Sequence, residues 1–153
     1  MSQGYDGLGL CYYYQNQNAL AVENYRTAIR INESAAHPSA WPYLNLATTL
    51  EFMNEPGEAE KNLREAIRIE PKMAQAHFQL GNILEHAGEN DAALLEFQEA
   101  ARLDPTYAEP HFALARIYRK LHQTSSSQEE VRTYLRIHNG VHTSGTSPSG
   151  EAP

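Results

Sequence analysis

Apolar and small residues recur along this chain at helical spacing, and the same pattern returns four times. Leu80, Gly81 and Leu84 fall at i, i+1 and i+4, one face of a helix. Ala93, Phe97 and Ala100 fall at i, i+4 and i+7, the opposing face of a second helix. AGEN, residues 87–90, supplies the turn between them, and Pro105 closes the unit because proline cannot continue a helix interior. The strings LGLCY, LATTL, LGNIL and LARIY start at Leu8, Leu46, Leu80 and Leu114, spaced 38, 34 and 34 residues apart. A second set, AIRIN, AIRIE, AARLD and YLRIH, starts at Ala28, Ala66, Ala100 and Tyr134 with the same spacings. Two independent strings with one period mark an internal repeat. The four extra residues of the first interval fall in NESAAHPSA, residues 32–40, which reads as a loop insertion.

The pattern predicts eight helices, at residues 2–15, 18–31, 40–53, 56–69, 74–87, 90–103, 108–121 and 127–138. Pro42 and Pro110 fall in first turns, where a missing N–H costs little. Ser126 and Glu129 form a capping box for the last helix. Gly4, Gly7 and Gly9 crowd the first helix, each at a cost of up to ~1 kcal/mol against Ala, so that helix is predicted to fray. The tail from residue 139 to 153 is almost without apolar content and is predicted to be disordered.

The motif residues resemble the tetratricopeptide repeat, whose pattern is Leu-Gly-x2-Tyr, then Ala-x3-Phe-x2-Ala, then Pro, over 34 residues. Repeat two carries it as Leu46, Ala47, Leu50, Ala59, Leu63, Ala66 and Pro71. Repeat three carries it as Leu80, Gly81, Leu84, Ala93, Phe97, Ala100 and Pro105. Repeat one has Leu8, Gly9, Tyr12, Ala21, Tyr25 and Ala28 without the closing proline. Repeat four has Leu114, Ala115, Tyr118, Ser127 and Val131, with Tyr134 where the family has a small residue. The chain is thus similar to bacterial tetratricopeptide repeat proteins. The resemblance implies an all-α, right-handed solenoid of antiparallel helix pairs over residues 2–138, with repeats at about 2–33, 40–73, 74–107 and 108–138.

In this family the first helix of each pair lines a concave groove. Carried over position by position, the resemblance implies a peptide-binding surface of Tyr13, Tyr14, Trp41, Asn45, Thr48, Phe52, Phe78, Gln79, Asn82, Glu85, His86, Arg116, Arg119 and Lys120. Aromatic rings there offer contact area at low entropy cost, and amides can pair with a peptide backbone. Phe78 and Phe112 equally suit internal packing. Chaperone-binding members hold a terminal carboxylate with a set of Lys, Asn and Arg on successive first helices. In either register only Asn45 matches that set, so the resemblance stops short of such a clamp.

Composition narrows the chemistry. The chain has 153 residues, 41% of them hydrophobic, a length that suits one domain. No run of 18 apolar residues exists, so no membrane span or membrane partner is expected. The start has no basic residue ahead of its apolar stretch, a poor signal peptide, and a cytoplasmic location is the expectation. The net charge of −7 argues against nucleic acid as the main partner. The charge is uneven: residues 1–107 hold 15 acids and 7 bases, whereas 108–137 hold 3 acids and 5 bases. Arg116, Arg119 and Lys120 make a basic corner, either a solvated helix face or a site for an acidic side chain or terminal carboxylate.

One cysteine, Cys11, excludes an internal disulfide and a multi-thiolate zinc site. His77 and His111 lie 34 residues apart at equivalent positions, on helices whose axes would stand ~8–10 Å apart. They therefore read as packing residues, and no metal or cofactor is expected. No phosphate loop, nucleophile elbow or HExxH is present, so an enzyme is not expected. The expectation is a non-catalytic scaffold that holds a protein or peptide segment in its groove. The alternatives are an assembly module that works through its ends, including an end-to-end homodimer, or the repeat part of a larger protein.

Overall fold

The computed structural model describes residues 2–143, which form eight α-helices. These are α1 (Ser2–Tyr14), α2 (Asn18–Glu33), α3 (Trp41–Phe52), α4 (Pro56–Ile69), α5 (Ala74–His86), α6 (Asn90–Leu103), α7 (Ala108–Lys120) and α8 (Thr124–Thr143). Each odd-numbered helix pairs antiparallel with the helix after it, and each even-numbered helix packs on the first helix of the next pair. The result is an all-α solenoid of four helix pairs, as the repeat predicts.

Side-chain size explains how each pair closes. In repeat three Gly81 lies flat against the Phe97 ring: a Cβ at Gly81 would stand 2.6 Å from Phe97 Cε1. In repeat one a Cβ at Gly9 would meet Tyr25 Cε1 at the same 2.6 Å. Both rings are buried on the inner face of their pairs. Repeat two sets Ala47 and Leu63 at the matching positions, and repeat four sets Ala115 and Val131. Glycine stands where the partner is a ring, and alanine where the partner is aliphatic, so the summed volume of each pair stays near constant. That is what a close-packed interior demands. Ala21, Ala59 and Ala93, all fully buried, repeat the economy of size on the second helices.

The turn inside every pair is built the same way. Asn16, Asn54, Gly88 and His122 take positive φ values of 59°, 61°, 83° and 58°. In each case the N–H that follows donates back to a carbonyl of the helix just ended: Gln17 to Tyr12 (2.8 Å), Glu55 to Leu50 (2.8 Å), Glu89 to Leu84 (2.9 Å) and Gln123 to Tyr118 (2.8 Å). This is a Schellman cap, in which a left-handed residue satisfies the orphan carbonyls. Glycine adopts that conformation freely and asparagine tolerates it, whereas His122 carries a Cβ into it at a cost.

The last helix departs from expectation at both ends. Its start is Thr124, not 127, because the cap at His122 and Gln123 repeats the other three turns in register. The Ser127 N–H donates to the Gln123 carbonyl, as Ala93 does to Glu89. Ser126 and Glu129, expected to cap the helix, therefore lie within it, and Ser127 Oγ donates to the Ala115 carbonyl at 2.8 Å across the pair. The helix ends at Thr143, so residues 139–143, predicted as disordered tail, are helical. The rest of that predicted tail, 144–153, lies outside the described residues. The physical reason is the missing stop. Pro71 and Pro105 follow α4 and α6, which are 14 residues long, whereas no proline follows α2 or α8 at that position and they run to 16 and 20.

The insertion between repeats one and two is pinned by one side chain. Asn32 is buried, its Nδ2 donates to the Ser39 carbonyl at 2.8 Å, and its Oδ1 accepts the Ser39 N–H at 2.7 Å. The loop is therefore closed on itself, and α3 starts in the register of the array.

Candidate functional site

The first helices, α1, α3, α5 and α7, stand side by side and bond to one another across the repeats. Asn45 Nδ2 donates to Asp6 Oδ1 at 2.9 Å, joining α3 to α1. The Thr48 hydroxyl lies 3.1 Å from Gln79 Oε1 and 3.0 Å from the Leu44 carbonyl, joining α3 to α5. Arg116 Nε donates to Glu85 Oε1 at 2.8 Å, its Nη2 bonds the other oxygen, and Lys120 Nζ reaches Oε1 at 2.6 Å, joining α5 to α7. Thr48 to Gln79 and Glu85 to Arg116 both span 31 residues, one period less one helical turn. Residues that far apart face each other on neighbouring parallel helices.

Electrostatics follow from this arrangement. Burial pushes the Glu85 carboxyl up, and the bonds from Arg116 and Lys120 outweigh it, leaving it below the usual carboxylate range. Those same bonds hold the Arg116 guanidinium above its ordinary value. The carboxylate that Arg116 and Lys120 hold is thus the chain's own, so these two form neither a merely solvated face nor an acid site left open for a partner. On the facing wall, burial raises the Glu51 carboxyl, and nearby His86 only partly opposes the shift.

Two cavities open on this surface. One, of about 540 Å³, is lined by Glu51 of α3, Asn82, Glu85 and His86 of α5, and Arg116 and Lys120 of α7. The other, of about 190 Å³, is lined by Phe78, Asn82, Glu109, Phe112, Ala113, Arg116 and Tyr134. Asn82 and Arg116 belong to both, so the two form one continuous trough. His86 Nδ1 donates to the Asn82 carbonyl at 2.7 Å, turning the ring along its own helix.

The aromatic residues divide into packing and open sets. Phe78 is half-buried between the rings of Phe97 (5.8 Å) and Tyr107 (5.2 Å), so it braces the pair. Burial pushes the Tyr107 phenol up to about 12. Phe112 is half-exposed, with Tyr134 at 5.5 Å and the Arg116 guanidinium 6.0 Å from its ring centre. Tyr13 meets Phe52 edge-on at 6.5 Å and Tyr14 at 5.7 Å, and Phe52 and Tyr14 are 66% and 79% exposed. These three rings continue the surface beyond Glu51 toward the first repeat.

Of the residues the resemblance implies, Asn82, Glu85, His86, Arg116 and Lys120 share one cavity. Phe78 joins Asn82 and Arg116 in the other. Asn45, Thr48 and Gln79 form the bonded row, and Tyr13, Tyr14 and Phe52 the aromatic end. Trp41 and Arg119 belong to none of these groups: Trp41 is half-exposed at the start of α3, and Arg119 lines a hollow of about 100 Å³ beside Ser127 and Val131. Glu51 and Glu109 hold the groove-facing positions that the repeat assigns them, and Tyr134 and Asp6 add to the surface from positions it does not. Tyr134 comes from a second helix, where the family position is small, and its size signalled that it reaches outward.

The histidines work separately. His77 Nδ1 pairs with Glu96 at 2.7 Å and its Nε2 with the Pro71 carbonyl at 2.9 Å; His111 Nδ1 pairs with Glu130 at 2.7 Å. Both nitrogens of His77 face acceptors, so only the imidazolium satisfies them. The Glu96 bond accordingly raises its pKa, against the opposing effect of burial. Among the described residues no group of three or more His, Cys, Asp or Glu is placed to hold a metal ion. No helix among them is long and apolar enough to cross a membrane.

Three family models, each described as tetratricopeptide repeat, match the chain at residues 2–72, 44–108 and 96–129. Curated proteins yield no sequence match. Among solved structures, MamA is similar with a TM-score of 0.83 at 18% identity, covering 92% of this chain and 80% of that one. BtubC from P. vanneervenii gives 0.83 at 19% identity, covering 99% and 68%. YrrB, described as a TPR protein with an unusual peptide-binding site, gives 0.74 at 21% identity, covering 95% and 75%.

Proposed function

The chain belongs to the tetratricopeptide repeat family, whose fold is a scaffold for protein–protein interaction and is typically non-catalytic, and from that premise we propose that it holds a peptide segment of a partner protein in the trough along α3, α5 and α7. The observation that carries the reading is the trough itself. Its lining comes from first helices except for Tyr134 of α8, its walls offer Asn82, His86 and Glu51, and the open rings of Tyr14 and Phe52, with Tyr13 half-buried against them, extend it. An extended peptide needs a row of amides for its backbone and rings for its side chains, and this surface supplies both. The peptide-binding site named for the structural neighbour YrrB supports the reading by analogy of fold.

We assign no metal, cofactor, nucleic acid or membrane to this activity, and no catalysis; a cytoplasmic setting fits that reading. The test is selection of twelve-residue peptides from a random display library, followed by affinity measurements on single variants. Phe52→Ala and Asn82→Ala each weaken the selected peptides several-fold, by about 1–2 kcal/mol, with helicity unchanged. Affinities unaltered by both variants move the site off this face.

A second reading rests on the two ends. Leu8, Leu10 and Tyr14 are exposed on α1, and Val131 and Leu135 on α8. Tyr5 is open there too, and it is Gly9 that lies against Tyr25 of α2. End-to-end pairing of two copies covers such surface. Light scattering over a concentration series tests it: Leu10→Lys with Tyr14→Lys returns any dimer to monomer.

A further inference from the structure

Of the two carboxylates that line the larger cavity, one is held by hydrogen bonds and one is not. Glu85 is buried and takes both Arg116 and Lys120. His86 spends Nδ1 on the Asn82 carbonyl. Glu51 is half-buried in the opposite wall, and among the described residues its carboxylate has no hydrogen bond or ion pair. A carboxylate that has lost part of its water, with only the nearby His86 imidazole to offset the loss, is destabilised in its charged form, which a seated cation reverses.

Resting on the groove reading above, we infer that Glu51 is the specificity point of the trough and that the peptide it takes carries a Lys or Arg there. Three further observations fit a basic side chain. Phe52, next in sequence on the last turn of α3, presents an open ring at the edge of the trough, and Tyr13 stands edge-on to it. Long basic side chains lay their methylene stems on such rings while the charged head reaches past them. The chain up to residue 107 is strongly acidic, a field that draws a cationic segment in. An acidic ligand residue has the weaker case, because Arg116 and Lys120 already share Glu85.

The experiment is the same random peptide selection run in parallel on the unaltered protein, Glu51→Gln and Glu51→Lys, each first checked by circular dichroism and melting. Peptides taken by the unaltered protein share a Lys or Arg at a fixed position, next to an apolar residue. Replacing that residue by norleucine weakens binding about tenfold, the ordinary worth of a charge-assisted hydrogen bond. On Glu51→Gln the same replacement changes affinity less than about twofold, and Glu51→Lys selects peptides without the basic position. Peptides that bind the trough, lose affinity with Phe52→Ala and Asn82→Ala, yet show no basic position overturn this inference alone. A basic position that persists in the Glu51→Gln pool overturns it as well. Failure of the unaltered protein to select any peptide, or selection of peptides indifferent to the trough variants, overturns the groove reading and this inference with it.

Discussion

In repeat one Gly9 meets the ring of Tyr25, and in repeat three Gly81 meets the ring of Phe97, at the same 2.6 Å from the site of a missing Cβ. The surroundings differ. α5 lies between α4 and α6, and its apolar residues Ala76, Leu80, Ile83 and Leu84 are all buried. α1 packs on α2 and touches α3, and it leaves Leu8, Leu10 and Tyr14 open, with two further glycines in its length. An identical contact thus sits in a doubly supported position in one repeat and a singly supported one in the other. In a linear array stability is close to a sum of unit and nearest-neighbour terms. The comparison teaches that the same local lock governs global unfolding in repeat three and only local opening in repeat one.

Substitutions at the lock give the largest expected effects. Ala93→Phe forces a ring into a fully buried site between α5 and α6 and costs about 3 kcal/mol or more in urea unfolding. Gly81→Ala costs about 1–2 kcal/mol, overpacking less the helix propensity that Ala gains. Gly9→Ala leaves the main transition nearly in place and instead speeds amide exchange in α1. Equal losses at Gly9 and Gly81 would remove the distinction drawn between the repeats. Adding Phe97→Leu to Gly81→Ala recovers part of the loss, because Ala with Leu is the combination that repeat two already uses at Ala47 and Leu63.

Next in size is the link between repeats three and four. Glu85→Gln costs about 1 kcal/mol, reduced from a buried-pair value because Arg116 and Lys120 are 34% and 45% exposed. The same carboxyl has a depressed pKa in the folded protein. Its contribution is therefore present above its ordinary value of 4.5 and is lost as pH falls through the folded value. Acid melting of the Glu85→Gln protein lacks that component; if its acid profile superimposes on the parent's, the pair is not coupled to folding.

Repeat three also carries a basic-side dependence. His77 is raised above 6.5 by Glu96, so its contribution is full below 6.5 and is lost as pH rises through the folded value. Melting temperatures between about pH 6 and pH 8.5 fall in the parent more than in Glu96→Gln. Equal slopes would show that the pair of His77 and Glu96 carries no such linkage. The smallest effect is a gain. His122→Gly removes a Cβ from a left-handed turn and raises stability by about 0.5–1 kcal/mol, sharpening the fourth repeat toward the third, where Gly88 already stands.

Most of the fold was legible because the repeat imposes one register on many residues at once. Seven helices start within one residue of the positions the period predicts. The eighth starts three residues earlier than the Ser126 and Glu129 signal indicates, because the left-handed turn at His122 keeps the spacing of the other three. The length of α8 was not legible because nothing in a tail of polar residues marks a stop except proline. In the trough, the positions facing the groove could be read from the resemblance. What the side chains do there could not, because Arg116 and Lys120 look like an open basic site until Glu85 is seen folded between them. Glu51 looks like any surface acid until Arg116 and Lys120 are found to be taken by Glu85.

Where a peptide binds is the most direct test. Amide and side-chain shift mapping during titration of the tightest library-selected peptide reads this residue by residue. The account predicts changes at Glu51, Phe52, Asn82, His86 and Arg116, with the outer helices α2, α4 and α6 silent. Changes confined to those outer helices, or to Leu8 and Leu10 at one end and Val131 and Leu135 at the other, would contradict it.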